Sequence, residues 1–334
     1  MNIKEWLKDL PQSGLPMPIL SFPSVQLMNV SVYELTHNAA TQTKGIIEVA
    51  ARTKAAAAVT MMDLSVEAEA FGCEIKAVEN EVPTVIGALI TDEEEANALR
   101  VPAVGEARTG LFIEAAKNAK AAITDRPVLA GIIGPFSLAG RLMDVSEALV
   151  NCIAEPDFVH IALKKTTAFL KEYALSYKAA GLDGIVMAEP LSGLLSPDLE
   201  AEFSAPFVQE IIQAVQDENF IVIYHNCGPN TPLMTESIYH NGAAAFHFGD
   251  AVDISEMLEK MPSDKPVCGN ISPSAQFLGG TCESMYHETT ALLEKCAKYK
   301  NFVLSSGCDI PPCSSWDNID AFFKAAQDFS KKNN

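Results

Sequence analysis

The 334-residue chain is 48% hydrophobic, 20% charged and 7% aromatic, a composition that excludes wholesale disorder. It sets 24 Lys plus Arg against 43 Asp plus Glu, for a formal charge of −19, and its arginines are Arg52, Arg100, Arg108, Arg126 and Arg141. No basic run exists that could neutralise a string of phosphates, which argues against a nucleic-acid partner, and no apolar stretch reaches the roughly 18 residues that cross a bilayer.

The leading residues MNIKEWLKDLPQSG read as a short amphipathic helix without the apolar core of a signal peptide, so 1–15 are expected to form an N-terminal helical extension. A cytoplasmic location follows, with the eight cysteines reduced. Short apolar runs then recur at 17–22, 58–62, 127–134, 184–188, 220–225, 243–248, 266–271 and 302–306, many bounded by Gly, Pro or Asn. Between the second and third lies a hairpin-like insertion at 75–90, with Pro83 among apolar residues. Helical patterns fall at 156–180, 199–216, 231–241, 255–260, 282–300 and 316–331. Strands alternating with helices imply parallel pairing through right-handed crossovers. An open dinucleotide-binding sheet lacks support, because no G-x-G-x-x-G follows the first strand. The expected fold is a single (β/α)8 TIM barrel spanning 1–334.

In such a barrel the chemistry sits where strands end and loops begin. Asp63, Glu189, His225, Cys227, Asp250, Asn270 and Cys308 all stand at or just after such ends. His225-Asn226-Cys227 is an H-x-C pair, and strand alternation puts its first and third side chains on one side. One imidazole and two thiolates suit Zn²⁺, and three protein ligands leave a fourth position for substrate. Spacing alone leaves two readings open, a metal site or buried small side chains. Cys73, Cys152, Cys268, Cys282 and Cys296 read as packing residues, while Cys313 lies close enough to Cys308 to crowd a site.

The stretches AEAFGCEIK (68–76), GIIGPFSLAG (131–140), LSGLLSPDLEAEFSAPFVQEII (191–212), YHNCG (224–228), GDAVDI (249–254), CGNISP (268–273) and LSSGCDIPP (304–312) together resemble the uroporphyrinogen decarboxylase superfamily. Within it the chain is similar to the zinc-dependent methylcobamide:coenzyme M methyltransferase branch. The resemblance implies a (β/α)8 barrel and a zinc ion on His225, Cys227 and Cys308. It also places Glu189 or Asp250 to complete the coordination sphere, and Asp63 where the decarboxylases have a pyrrole-binding aspartate.

Charge separates the two branches. The decarboxylase holds a polycarboxylate with an arginine-rich N-terminal segment, whereas residues 10–38 here contain no Arg or Lys. Methyl transfer from a methylated corrinoid to a thiol such as coenzyme M is therefore the expected activity. The corrinoid-holding signature D-x-H-x-x-G is missing, since Ile223 precedes His225 and Asp157 stands three before His160. The methylcobamide should then arrive on a separate corrinoid protein that docks at the barrel mouth. Homocysteine or tetrahydrofolate as acceptor, decarboxylation, and a non-catalytic zinc-binding partner module are the alternatives.

Several residues carry two readings each. His247, in the apolar run FHF, is either a core histidine or a partner of the metal ligands. Tyr224 and Trp316 flank the ligand segments and would either pack in the core or line the pocket. His240 suits a helix C-terminus, the acidic run 91–95 a helix start, and Gly134-Pro135-Phe136-Ser137 a strand-to-helix loop.

Overall fold

The computed structural model describes residues 2–333. Its centre is a parallel seven-stranded sheet in the order β1 (Ala58–Val59), β4 (Val128–Ile133), β5 (Gly184–Ala188), β6 (Ile221–Asn226), β7 (Ala245–Phe248), β8 (Val267–Ile271) and β9 (Phe302–Ser306). The remaining strands, β2 (Glu74–Lys76) and β3 (Thr84–Ile86), pair antiparallel as the expected insertion hairpin. Helices cover the sheet in the alternating manner of a TIM barrel, and the Ile3–Asp9 helix leads the chain.

The run at 17–22 forms no strand, contrary to expectation. Pro16 and Pro18 carry no N–H and cannot donate to a ladder, so this eighth position of the barrel is an irregular seam. The seam is nonetheless bonded on both sides. Met17 N–H donates to Leu304 O at 2.9 Å and Ile310 N–H to Ile19 O at 3.0 Å, while Ala56 N–H donates to Pro16 O at 2.8 Å. The helical run at 199–216 is likewise two helices, Pro197–Phe203 and Ala205–Val215. Pro206 lacks the N–H that would bond back to Glu202, and the break falls at Ser204. Among the described residues no helix is long and apolar enough to cross a membrane.

Alternation along the strands builds two cores. Ile221 and Ile223 face the barrel interior with Met17, Ile19, Leu129, Val186, Cys268 and Val303, and Ile3 and Leu10 close the amino end below them. Trp6 adds a hydrogen bond from Nε1 to Ala56 O at 3.2 Å. Val222 and Tyr224 face outward, into the layer between sheet and helices. This period of two carries past Ile223 and delivers His225 and Cys227 to the inner side at the carboxyl end of β6.

The loops after β5 and β6 cross with no room to spare. A Cβ on Gly228 would lie 2.4 Å from Gly193 Cα and 2.5 Å from its carbonyl oxygen, both of them backbone atoms. Gly228→Ala is therefore expected to lower stability by about 1–3 kcal/mol through overpacking, read as a lower denaturant midpoint at unchanged m-value.

Candidate metal centre

Register assembles the site. β6 pairs with β5 and β7 so that His225 stands opposite Ala188 on one side and His247 on the other. Cys308 follows the end of β9 and reaches across the mouth. One ligand atom from each of His225, Cys227 and Cys308 lies within 4.8 Å of the other two. Cys308 Sγ is 3.5 Å from His225 Nε2. A tetrahedral zinc ion at ordinary bond lengths separates a sulfur and a nitrogen donor by about 3.6 Å, so the donor set fits. His225 is fully buried, whereas both cysteines are partly exposed toward the mouth.

A hydrogen-bond relay sets the tautomer of His225. Ser305 Oγ–H donates to Met17 O at 2.6 Å, so that hydroxyl has no second proton to give. His247 Nε2–H must then be the donor to Ser305 Oγ, at 2.7 Å. His247 is held neutral, since burial drives its pKa well below the usual value, and its Nδ1 is left as an acceptor. His225 Nδ1 lies 2.8 Å from that atom and supplies the proton. His225 Nε2 is thereby left with a lone pair aimed toward Cys308, as a metal ligand requires.

The two thiols share protons unequally. The hydrogen bond from Cys308 holds the Cys227 thiol below its ordinary pKa, while donating in that bond, together with burial, pushes Cys308 up to about 12. A cation drawn to the pair must displace at least the Cys308 proton.

The other expected positions divide. Glu189 and Asp250 both lie outside the converging set. Glu189 Oε1 instead accepts from Ser137 N–H at 2.6 Å, at the start of the Pro135–Met143 helix. Burial pushes its pKa up to about 8, and Oε2 has no partner. Asp250 is exposed and packs against Gly307. Tyr224 is on the wrong face for the pocket, because residues 224 and 226 alternate away from 225 and 227. Its hydroxyl meets Ser192 Oγ and Asn226 Nδ2, each at 3.2 Å. Asp63 is buried and fully engaged, paired with Arg108 Nη1 and accepting from Ser65 Oγ at 2.6 Å and Ser65 N–H at 3.0 Å. Asn270 Nδ2 donates to Gly249 O and Val252 O, both at 2.8 Å, which braces the loop after β7. Cys313 is exposed and not one of the converging donors. Trp316 bonds through Nε1 to Pro23 O at 3.1 Å and stacks under Arg52.

Sequence reading missed Ser305, Arg108, Glu67 and Asp309. Ser305 had a usable signal, being three before Cys308 on the same apolar run. Asp309 is half-buried beside Cys308, and desolvation raises its pKa well above the carboxylate range with the thiol adding to the effect. Burial likewise pushes Glu67 up to about 7. Asp309 Oδ1 and Glu67 Oε2 are buried without partners.

The family described as Uroporphyrinogen decarboxylase (URO-D) matches residues 20–329. Methylcobamide:CoM methyltransferase MtbA of Methanosarcina acetivorans is 25% identical over 271 residues, covering 80% of this chain and 78% of that protein. The uroporphyrinogen decarboxylase of Coxiella burnetii is 26% identical over 294 residues, covering 83% and 78%. A solved methyltransferase from Methanosarcina mazei superposes with a TM-score of 0.86 at 24% identity, over 98% of this chain and 99% of that one. At that identity the likeness speaks for the fold.

Removing the relay should loosen the site without touching a donor atom. His247→Phe is expected to lower zinc affinity by about 10- to 100-fold in competition with a chelator, with the melting transition retained. Proton linkage should also be visible. Zinc affinity is expected to fall as pH is lowered from 8 to 6, by about tenfold per unit for each proton displaced, and calorimetry in buffers of different ionisation enthalpy counts those protons.

Proposed function

We propose a zinc-dependent methyltransferase activity for this chain, which belongs to the uroporphyrinogen decarboxylase family: a methyl group passes from a methylated corrinoid, carried by a separate corrinoid protein, to a thiol of the coenzyme M kind. The observation that carries the reading is the convergence of His225, Cys227 and Cys308 at the carboxyl end of the barrel. Methylcobamide:CoM methyltransferases among the relatives support it.

His225, Cys227 and Cys308 would hold the ion. When bound, zinc lowers the pKa of an incoming thiol so that it is a thiolate at neutral pH. Cys227 and Cys308 contribute two anionic sulfurs, which keep the centre electron-rich, and His225 adds a neutral nitrogen whose orientation His247 secures. The thiol proton leaves to solvent as the thiol binds. In the transfer the thiolate sulfur forms a bond to the methyl carbon as the cobalt–carbon bond breaks, with its electron pair remaining on cobalt.

Docking of a corrinoid protein suits the mouth. Leu194, Leu233 and Leu278, in turns that follow β5, β6 and β8, are exposed on that end. Decarboxylation is less well served despite decarboxylases among the relatives. Asp63 spends its oxygens on Arg108 and Ser65, and most other arginines are already paired, so a polycarboxylate would find little compensation.

The test is transfer from free methylcobalamin to a panel of thiol and folate acceptors by the zinc-loaded protein, followed through cobalt absorbance. Cys308→Ala, shown folded by circular dichroism, is expected to fall to the uncatalysed rate. Retention of full activity would remove the proposal.

A further inference from the structure

Positive charge gathers at the amino end of the barrel, on the face opposite the three converging donors. Just ahead of β1 a cavity of about 420 Å³ opens between residues 13–16, residues 52–54 and the Trp316–Asn333 helix. The helix contributes one stripe to it, since Asp320, Phe323, Lys324, Gln327 and Lys331 recur at the helical period and share a face. Gly14 closes the cavity against that helix. Its φ of +66° lies in the left-handed region, and a Cβ there would lie 2.7 Å from Ser330 Oγ.

The lining sets Arg52, Lys54, Lys324 and Lys331 against a single carboxylate, Asp320, in a chain whose formal charge is −19. Arg52 is committed to Asp320 and stacks over Trp316, with 4.7 Å between its guanidinium carbon and the ring centroid. Lys324 is held by Asp328 at 2.6 Å. Among the described residues, Lys54 and Lys331 make no hydrogen bond and no ion pair. With Asp328 counted beside the lining, four cations still face two carboxylates, a surplus of two charges. Part of the wall is apolar. Leu15 is 42% exposed, and Pro16 and Phe323 line the same cavity.

A phosphate monoester is close to dianionic at neutral pH and offers three strong acceptor oxygens. Two unpaired ammonium groups match that charge, and an apolar wall beside them suits a carbon body. The cavity also has the volume of a small-molecule site. We propose that it binds a small organic phosphate monoester, with Lys54 and Lys331 on the phosphate and Leu15, Pro16 and Phe323 against the organic part. This site is independent of the methyltransferase reading. Its occupant joins residues 13–16 to both flanking helices, Ala39–Arg52 and Trp316–Asn333. That segment leads directly into the seam, where Pro16 O accepts from Ala56 N–H at 2.8 Å, so binding braces the seam.

The test is calorimetric titration of the zinc-loaded protein with phenyl phosphate, inorganic phosphate, benzoate and phenol. Phenyl phosphate should bind about tenfold or more tightly than inorganic phosphate, which lacks the ring, and than benzoate, which carries one charge. Phenol should bind most weakly. Lys54→Gln combined with Lys331→Gln is expected to weaken phenyl phosphate by about 10- to 100-fold. Lys171→Gln, which removes a lysine paired with Glu210 elsewhere on the surface, should leave it unchanged. Both cavity lysines are exposed, so the double variant keeps its fold. Phenyl phosphate should also raise the melting temperature of wild type and not that of the double variant. No binding of phenyl phosphate, equal affinity for inorganic phosphate or benzoate, or undiminished binding in the double variant, as a phosphate seated on the metal would give, overturns the assignment.

Discussion

A neutral imidazole has one proton for two nitrogens, and the candidate centre depends on where His225 keeps its own. The decision is made away from the ligands. Met17 O takes the proton of Ser305, Ser305 takes that of His247, and His247 takes that of His225. Each step leaves the next group one possible role, so a main-chain carbonyl ends by fixing which nitrogen faces the sulfurs. Burial contributes by keeping His247 neutral. Register contributes by setting His225 and His247 opposite one another on adjacent parallel strands. Without that pairing the three donors would still be close, yet the nitrogen among them would be free to present a proton.

Charge organises the rest of the mouth. In a chain with a formal charge of −19, cations are scarce and their placement is informative. Arg108 is committed to Asp63 and Glu69, which fixes the loop after β1 and withdraws the aspartate from ligand binding. Glu67 and Glu189 are buried and Asp309 is half-buried with one carboxyl oxygen sealed, so desolvation favours the protonated form of each. These three carboxyl groups consequently carry less negative charge than their number suggests.

Much of this was legible in the sequence because it rests on periodicity. β5 and β9 coincide with their apolar runs, and strand alternation correctly put His225 and Cys227 on one side. Convergence of Cys308 followed from the barrel, where all strand ends open on one mouth. The failures share a cause in backbone donors and exact facing. The run at 17–22 looked like a strand because its side chains are apolar, but two prolines remove the N–H groups a ladder needs. Tyr224, for which a place in the core and one in the pocket were both open, packs in the core because it adjoins His225 and neighbours in a strand face opposite ways. The Arg108–Asp63 pair joins residues from separate loops, and no local pattern announces it.

The seam has a wider meaning for the centre. Everywhere else around the barrel adjacent strands are tied by repeating ladders, but at the proline-rich join only scattered bonds tie the neighbours together. The last acceptor of the proton relay, Met17 O, belongs to this most lightly stitched stave. A breathing motion that parts the join would let Ser305 turn, and the imidazoles behind it could then exchange tautomers. Retention of an ion on the proposed ligands would in this sense read out how firmly the barrel's first segment is docked, far along the chain from any atom that would touch it.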